Sequence, residues 1–278
     1  MDSKNNLDPK VVEDFGKEWQ TFNQEYLKGK DLERAFDEYF HLFPFHTLAS
    51  DCKGFDMGCG SGRWARLVSP RVGHLHCIDP SPLALAQAQK NLEDCDNLSF
   101  EVASVDQSTL TNGSQDFGYC LGVLHHIPDT EAGLRVCAEK LKKGSPFLLY
   151  LYYRFDQKPF WFKMIWKVSD LARSVLSRLP FPLKRLICDL IALTVYLPMA
   201  RIADGLEKMG VKVDNIPLSA YRDKPYPFLR TDALDRFGTR LEKRFTKAEI
   251  QTMMERSGFE RIVFSTRTPH WVCLGYKI

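Results

Sequence analysis

Asp56-Met57-Gly58-Cys59-Gly60-Ser61-Gly62 sets three glycines at alternate positions behind a short apolar run. Glycines joining a strand to a helix let a ligand approach the main chain, and the helix start offers it unpaired N–H groups. Asp79 lies 21 residues beyond Gly58, at the close of a second apolar run. A carboxylate at that point can hold the two hydroxyls of a ribose. A dinucleotide loop carries Gly-x-Gly-x-x-Gly; Gly58 and Gly60 fit, but position 63 is Arg and the third glycine falls at 62. A ribose-binding acid beside a loop that lacks the pyrophosphate spacing fits an adenosine cofactor without a diphosphate. Within the loop Cys59 reads as a small apolar filler rather than a nucleophile. Arg63 is either a solvated surface cation or a partner for a carboxylate of the cofactor.

Composition narrows the class. The chain has 278 residues, 44% of them apolar and 12% aromatic, enough for a substantial core. A formal charge of +3 gives nucleic acid no support as a partner. The eight cysteines stand singly, without a Cys-x-x-Cys pair or a His at zinc-ligand spacing, so no metal site is expected. The amino end is polar, and no uncharged apolar run reaches the roughly 18–20 residues that cross a bilayer. These features are those of a cytoplasmic, reducing setting.

The elements that would hold the loop alternate in type. Residues 11–48 read as helical and aromatic, with Trp19, Phe22, Tyr26, Phe36, Tyr39, Phe40 and Phe43. From 54 onward, short apolar runs alternate with helical stretches, the pattern of a doubly wound sheet. Strands are expected at 54–57, 75–78, 98–102, 117–123 and 147–153. Ser81 and Pro82 suit the cap and first turn of one helix, Asp129 the cap of another running to Lys143. Thr246-Lys247-Ala248-Glu249 is a capping-box pattern opening a further helix. The last two strands, 261–265 and 271–276, are too close in sequence for a parallel crossover and must be antiparallel. The expected fold is α/β: a Rossmann-like three-layer sandwich, its seven-stranded sheet mostly parallel with an antiparallel C-terminal hairpin, plus a helical insertion. Residues 1–48 would form a helical cap, 49–153 with 246–278 the core, and 154–245 an inserted lid.

The first motif is similar to the acidic-x-Gly-x-Gly-x-Gly signature of class I S-adenosylmethionine-dependent methyltransferases. Ile78-Asp79-Pro80-Ser81 looks like the family's second-strand motif, and Leu121-Gly122-Val123-Leu124-His125-His126 resembles its fourth-strand ending. The resemblance implies S-adenosylmethionine as cofactor and S-adenosylhomocysteine as product. It implies Asp56 and Gly58 at the methionine moiety, Asp79 at the ribose, Ser104 and Val105 at the adenine, and Leu121 and Gly122 at the methionine end. Cys59, Gly60, Gly62, Arg63 and Pro80 belong to the same site. Where the family commonly has an acid this chain has Ser104, so the adenine amino group falls to its hydroxyl or to Asp106. A non-catalytic nucleoside-binding protein of the same fold is the alternative.

Ligands of an open α/β sheet bind beyond the carboxyl ends of its strands. A methyl acceptor would therefore meet His125, His126, Tyr152, Tyr153 and Arg154. His125 is either a general base or a packed histidine, and Tyr152 and Tyr153 point to opposite faces. Tyr221, Arg222 and Asp235 lie in charge-dense stretches that are either paired surface or a substrate-reading loop. His125, Tyr152, Tyr221 and Arg222 are the catalytic candidates, with a small-molecule acceptor or, alternatively, a lipid-linked, sugar or protein one.

In the insertion, Trp161, Met164, Ile165, Val168, Leu171, Ala172, Val175 and Leu179 recur at helical spacing among Lys163, Lys167, Arg173 and Arg178. A second apolar stretch runs from Leu186 to Met199. Such helices pack on the sheet, form a homodimer interface, or rest on a membrane through residues 159–200.

Overall fold

The computed structural model describes residues 6–21, 29–155, 158–213, 215–267 and 271–278; Phe22 and Tyr26 lie outside them. The chain divides into two units, Met1–Arg154 with Leu241–Ile278, and Phe155–Arg240.

The first unit opens with helices α1 (Pro9–Thr21) and α2 (Lys30–Phe40). Strand β1 (Lys53–Met57) leads through the glycine loop to the short helix α3 (Ala65–Val68). Strand β2 (His74–Asp79) is followed by α4 (Pro82–Asn91), capped by the Ser81 side chain accepting from Ala84 N–H. Strands β3 (Leu98–Val102) and β4 (Phe117–Leu121) precede α5 (Thr130–Lys140), whose cap is Asp129. Strand β5 (Pro146–Tyr150) ends the continuous part of the core.

The second unit holds α6 (Phe160–Leu176), α7 (Phe181–Ile191), α8 (Leu197–Lys208) and α9 (Tyr226–Gly238). A π-helical turn at Ala192–Tyr196 joins α7 to α8, making one helix of 28 residues from Phe181 to Lys208. By length and composition, with a mean hydropathy of 1.7, this helix could cross a membrane. That is not visible as an uncharged run, because Asp189 and Arg201 interrupt it. Both α6 and α7 pack on α9. The core then resumes with α10 (Lys247–Arg256), β6 (Phe259–Phe264) and β7 (Val272–Lys277). Thr246 and Glu249 close the capping box at the start of α10.

The strand order is β3-β2-β1-β4-β5-β7-β6. Neighbours from β3 to β5 are parallel; β7 pairs antiparallel with β5 on one side and with β6 on the other. The C-terminal pair is thus antiparallel as expected, but β7 inserts between β5 and β6 instead of trailing at the edge. Strand alternation sorts the core into two faces. Phe147, Leu149 and Leu151 join Leu134, Ile250 and Met254 on one side; Leu148 and Tyr150 join Phe40, Val68 and Leu85 on the other. Helices therefore cover both faces, giving three layers.

Several elements stop earlier than the sequence suggests, each for a tertiary reason. Helix α5 ends at Lys140, not Lys143, because the Lys140 carbonyl is taken by the N–H groups of Ser114 and Gln115. Strand β4 ends at Leu121 because Gly122 turns with φ +79°. Beyond β5 the backbone stays extended and pairs with Phe245, whose N–H donates to the Tyr152 carbonyl at 2.9 Å.

Candidate functional site

The carboxyl ends of β1, β2 and β4 meet where the strand order reverses, the place at which such sheets bind ligands. Gly58, Gly60 and Gly62 all have left-handed φ, at +84°, +55° and +80°. A side chain at Gly58 would also meet Val123 Cγ2 at 2.4 Å, so the loop lies directly on the residue that leaves β4. The N–H groups of Gly58 and Cys59 both donate to the Ile78 carbonyl, at 2.7 and 3.0 Å. Asp79 completes this latch. Its Oδ2 accepts the Gly60 N–H at 3.0 Å and its Oδ1 accepts the Ser81 N–H at 2.9 Å. Two bonds leave lone pairs on the carboxylate for a diol. Burial pushes Asp79 up to about 6, against the two N–H donors that lower it.

Asp56 is 2% exposed, and its Oδ2 has no hydrogen-bond partner among the described residues. Burial raises it to about 8, with the Asp79 carboxylate adding to the rise. The nearby Tyr119 hydroxyl favours its charged form without making a hydrogen bond of ordinary geometry. A buried acid with an unmet acceptor is a costly arrangement unless a cationic or N–H-bearing partner arrives. Cys59 is 7% exposed, and the Cys77 thiol together with burial drives its own thiol upward, which suits a filler and not a nucleophile. The Arg63 guanidinium sits over the Trp64 ring, 4.1 Å from its centroid. The Ser104 hydroxyl donates to Asp106 Oδ1 at 2.8 Å, so the two candidates for the adenine contact are one hydrogen-bonded pair. Val105 is buried in the core cluster of the α5 face, Leu121 in that of the other face.

The acceptor candidates of the core also converge. His125 is fully buried, with neither ring nitrogen partnered among the described residues. Its ring lies 3.8 Å from that of Tyr152 and 4.0 Å from that of His126. Burial, with the charges of His126 and Arg244, drives His125 well below its ordinary value and keeps it neutral. His126 Nδ1 lies 2.8 Å from the Leu241 carbonyl. Tyr152 and Tyr153 do fall on opposite faces. Arg154 pairs with Glu249 at 3.0 Å and serves to tie the chain to α10.

Two residues of this region are not singled out by sequence reasoning. Trp19 of α1 stands over the loop: a Cβ on Gly60 would lie 3.0 Å from its ring. Arg244 stacks on Tyr152 with 5.2 Å from guanidinium to ring centroid, and pairs with Glu242 at 2.7 Å. The aromatic-rich start of the chain was the one available signal for Trp19. Arg244 had none, being one of many charges before Thr246.

Tyr221, Arg222 and Asp235 belong to the second unit. There the Tyr221 hydroxyl donates to Asp232 at 2.6 Å, Arg222 pairs with Glu207 at 2.6 Å, and Asp235 accepts from Thr239 at 3.5 Å. Among the described residues no group of three or more His, Cys, Asp or Glu is placed to hold a metal ion. An open depression of about 560 Å³ lies at the amino ends of the strands, lined by Lys53, Asp116 and Lys142 among others. It is at the end of the sheet away from the glycine loop and gathers none of the candidate residues.

A seven-stranded sheet in this order, with a latched glycine loop and a carboxylate beyond β2, is the architecture of class I methyltransferases. Residues 55–144 match the family model described as a methyltransferase domain. The likeness to that family rests on residues 55–144, and the fold is of the Rossmann-like class. The chain is 32% identical over 96 residues to the ubiquinone biosynthesis O-methyltransferase of Xanthomonas oryzae pv. oryzae, a match covering 34% of this chain and 40% of that protein. A similar match is made to the enzyme of that name from Xanthomonas campestris pv. campestris. The fold is shared with an S-adenosylmethionine-dependent methyltransferase of Thermotoga maritima, at 14% identity and a TM-score of 0.52, covering 96% of this chain and 100% of that one. It is also shared with phosphoethanolamine N-methyltransferase 2 of Haemonchus contortus, solved with S-adenosylhomocysteine, at 14% identity and a TM-score of 0.51, covering 94% of this chain and 44% of that one.

Proposed function

We infer that this protein transfers the methyl group of S-adenosylmethionine to a small-molecule acceptor. The observation that carries the reading is the latched loop: three left-handed glycines, with Asp79 holding Gly60 and still offering lone pairs. Asp56, buried with an unmet oxygen, suits the amino group of the methionine moiety; Asp79 suits the ribose, and the Ser104–Asp106 pair with Val105 the adenine. When bound, the cofactor supplies an already activated methyl group, so the protein's task is alignment and the exclusion of water.

The residues around β4 and β5 supply the acceptor side of this reading. The similarity to the Xanthomonas O-methyltransferases supports an oxygen acceptor. A hydroxyl that loses its proton on attack needs a base. His125, with both nitrogens unpartnered among the described residues and its ring against Tyr152, is the candidate for that proton, and the bound acceptor must offset the burial and the Arg244 charge that disfavour its charged form. The eight unpaired cysteines support a reducing, cytoplasmic setting.

Isothermal titration with S-adenosylmethionine and S-adenosylhomocysteine tests the reading. Micromolar binding of both is expected; absence of binding to either would overturn it. Binding without any methyl transfer from labelled cofactor to phenolic, amine or lipid-extract acceptors would favour the non-catalytic nucleoside-binding alternative.

A further inference from the structure

Helix α6 is built inside out. Its residues Ser169, Asp170 and Arg173 attach to α9 and the segment after it: Arg236 donates to Ser169 at 3.2 Å and reaches Asp170 at 3.6 Å, and Arg173 donates to the Thr239 carbonyl at 3.0 Å. The opposite face is apolar and open. Trp161, Met164, Ile165, Val168, Leu171 and Val175 are between 43% and 70% exposed. At 100° per residue they occupy one arc of about 120°. A helix of a water-soluble domain places these two faces the other way round.

The helix Phe181–Lys208 repeats the arrangement. Its inner face is small or polar: Ala192, Ala200 and Ala203 are buried, and the buried Lys184 donates to the carbonyls of Ser177 and Gly238. Asp189 is bound to Arg230 of α9 through two bonds of 2.8 and 2.6 Å. Leu183, Leu186, Leu190 and Leu193 are turned outward, each 45–57% exposed. Fifteen of the nineteen large apolar side chains exposed among the described residues fall between positions 160 and 211. Soluble monomers scatter such side chains singly.

Charge selects the occupant of this face. Residues 155–240 hold fifteen Lys and Arg against nine Asp and Glu, and between 158 and 185, once the inward Arg173, Lys184 and Asp170 are set aside, Lys158, Lys163, Lys167, Arg178 and Arg185 remain with no acid among them. Two copies meeting through so basic a surface would repel, since an isologous contact sets like against like. An anionic bilayer attracts it. Lys167 stands about 40° outside the α6 arc, where its stem can lie on apolar surface while the ammonium group reaches headgroups. A spanning orientation is disfavoured, because the helix would carry Lys184 and the Asp189–Arg230 pair into hydrocarbon.

We propose that the unit Phe155–Arg240 docks on an anionic phospholipid surface, with α6 and the Phe181–Lys208 helix lying in the plane of the interface. Docking does not depend on catalysis, so it stands or falls separately from the methyltransferase reading.

The test is flotation of the full chain with phosphatidylcholine vesicles, with and without phosphatidylglycerol. Binding to the phosphatidylglycerol vesicles is expected, and alkaline carbonate should release it. The double variant Val168→Glu, Leu171→Glu should lower binding at least about tenfold. Lys167→Gln should lower it about fivefold, with the effect vanishing at high salt. Circular dichroism confirms that each variant is folded, and titration with S-adenosylhomocysteine keeps its failure apart from that of the cofactor site. Three results would overturn the proposal: no flotation by the wild type, flotation untouched by the glutamate pair, or resistance to carbonate. A stable dimer by light scattering, broken by the glutamate pair and unable to bind vesicles, would assign the face to a second copy instead.

Discussion

Asp79 Oδ2 accepts the Gly60 N–H at 3.0 Å, so the carboxylate assigned to the ribose is also the clasp that shapes the glycine loop. Its loss removes both a ligand contact and a loop anchor. Asp79→Ala is expected to weaken S-adenosylhomocysteine binding by about 1.5–3 kcal/mol, the cost of a lost charged hydrogen bond. Calorimetry measures it, and an unchanged affinity removes Asp79 from the site.

The two buried acids give a pH dependence of defined sign. Asp56 is raised to about 8 and Asp79 to about 6, both by burial. A carboxyl whose folded value lies above its unfolded one adds stability that is complete below the unfolded value and lost as pH rises through the folded one. The contribution of this pair therefore falls between about pH 4 and about pH 8. Urea titrations across about pH 4 to 9 should show the decline up to about pH 8 in the ligand-free protein, and Asp56→Asn should flatten its upper part. A variant with the same slope as wild type would mean that Asp56 is already ionised when folded.

Cofactor binding should reverse that preference. An ammonium group beside Asp56 favours the carboxylate, so binding below about pH 8 should release a proton. Calorimetry in buffers of different ionisation enthalpy reads the proton count directly. No dependence on buffer would place the amino group elsewhere.

Gly60 answers to both its own backbone and Trp19. With φ at +55°, alanine there costs about 1–2 kcal/mol of backbone strain. Its Cβ would also press on the Trp19 ring at 3.0 Å. Gly60→Ala should lower the melting temperature, and adding Trp19→Leu should recover the contact but not the strain. Full recovery in the double variant would show that the loop is relaxed at this position.

His125→Gln should lower kcat by about 10²–10⁴-fold, the range for a lost general base, while leaving cofactor affinity unchanged. An unaltered kcat would make His125 a packing ring against Tyr152.

Arg244 and Glu242 have side chains only 10% and 1% exposed. Arg244→Met leaves a buried carboxylate without its partner and should destabilise the fold by about 3–5 kcal/mol. Replacing Glu242 by Leu in the same chain should restore most of the loss, as chemical denaturation would show. A mild effect of the single change would mean that the Glu242 charge is solvated.

Much of the core was legible because its signals are local. Ser81 caps α4, Asp129 caps α5 and Thr246 with Glu249 boxes α10, each through bonds spanning three residues. The ends of elements were less legible. Lys140 stops α5 because residues of a distant loop claim its carbonyl, and no property of residues 141–143 announces this. Likewise, the antiparallel sense of the last two strands followed from their short connection, but the place of β7 beside β5 did not.

The glycine loop and its acid could be read from the chain before any fold was known. Glycine spacing over 58–62 and an acid at 79 act through a strand, a turn and a helix that are contiguous in the chain, so their geometry is set by neighbours. What surrounds that loop came from the folded chain. It brought Trp19 over Gly60 and Arg244 over Tyr152, and it showed that α6 turns its apolar face outward. Periodicity reveals that a helix has an apolar face; which way that face points depends on distant residues such as Arg236 and Thr239 that bind the other side. The clasp between Asp79 and Gly60 belongs to both accounts: its two residues could be named from spacing, and the bond between them required the fold.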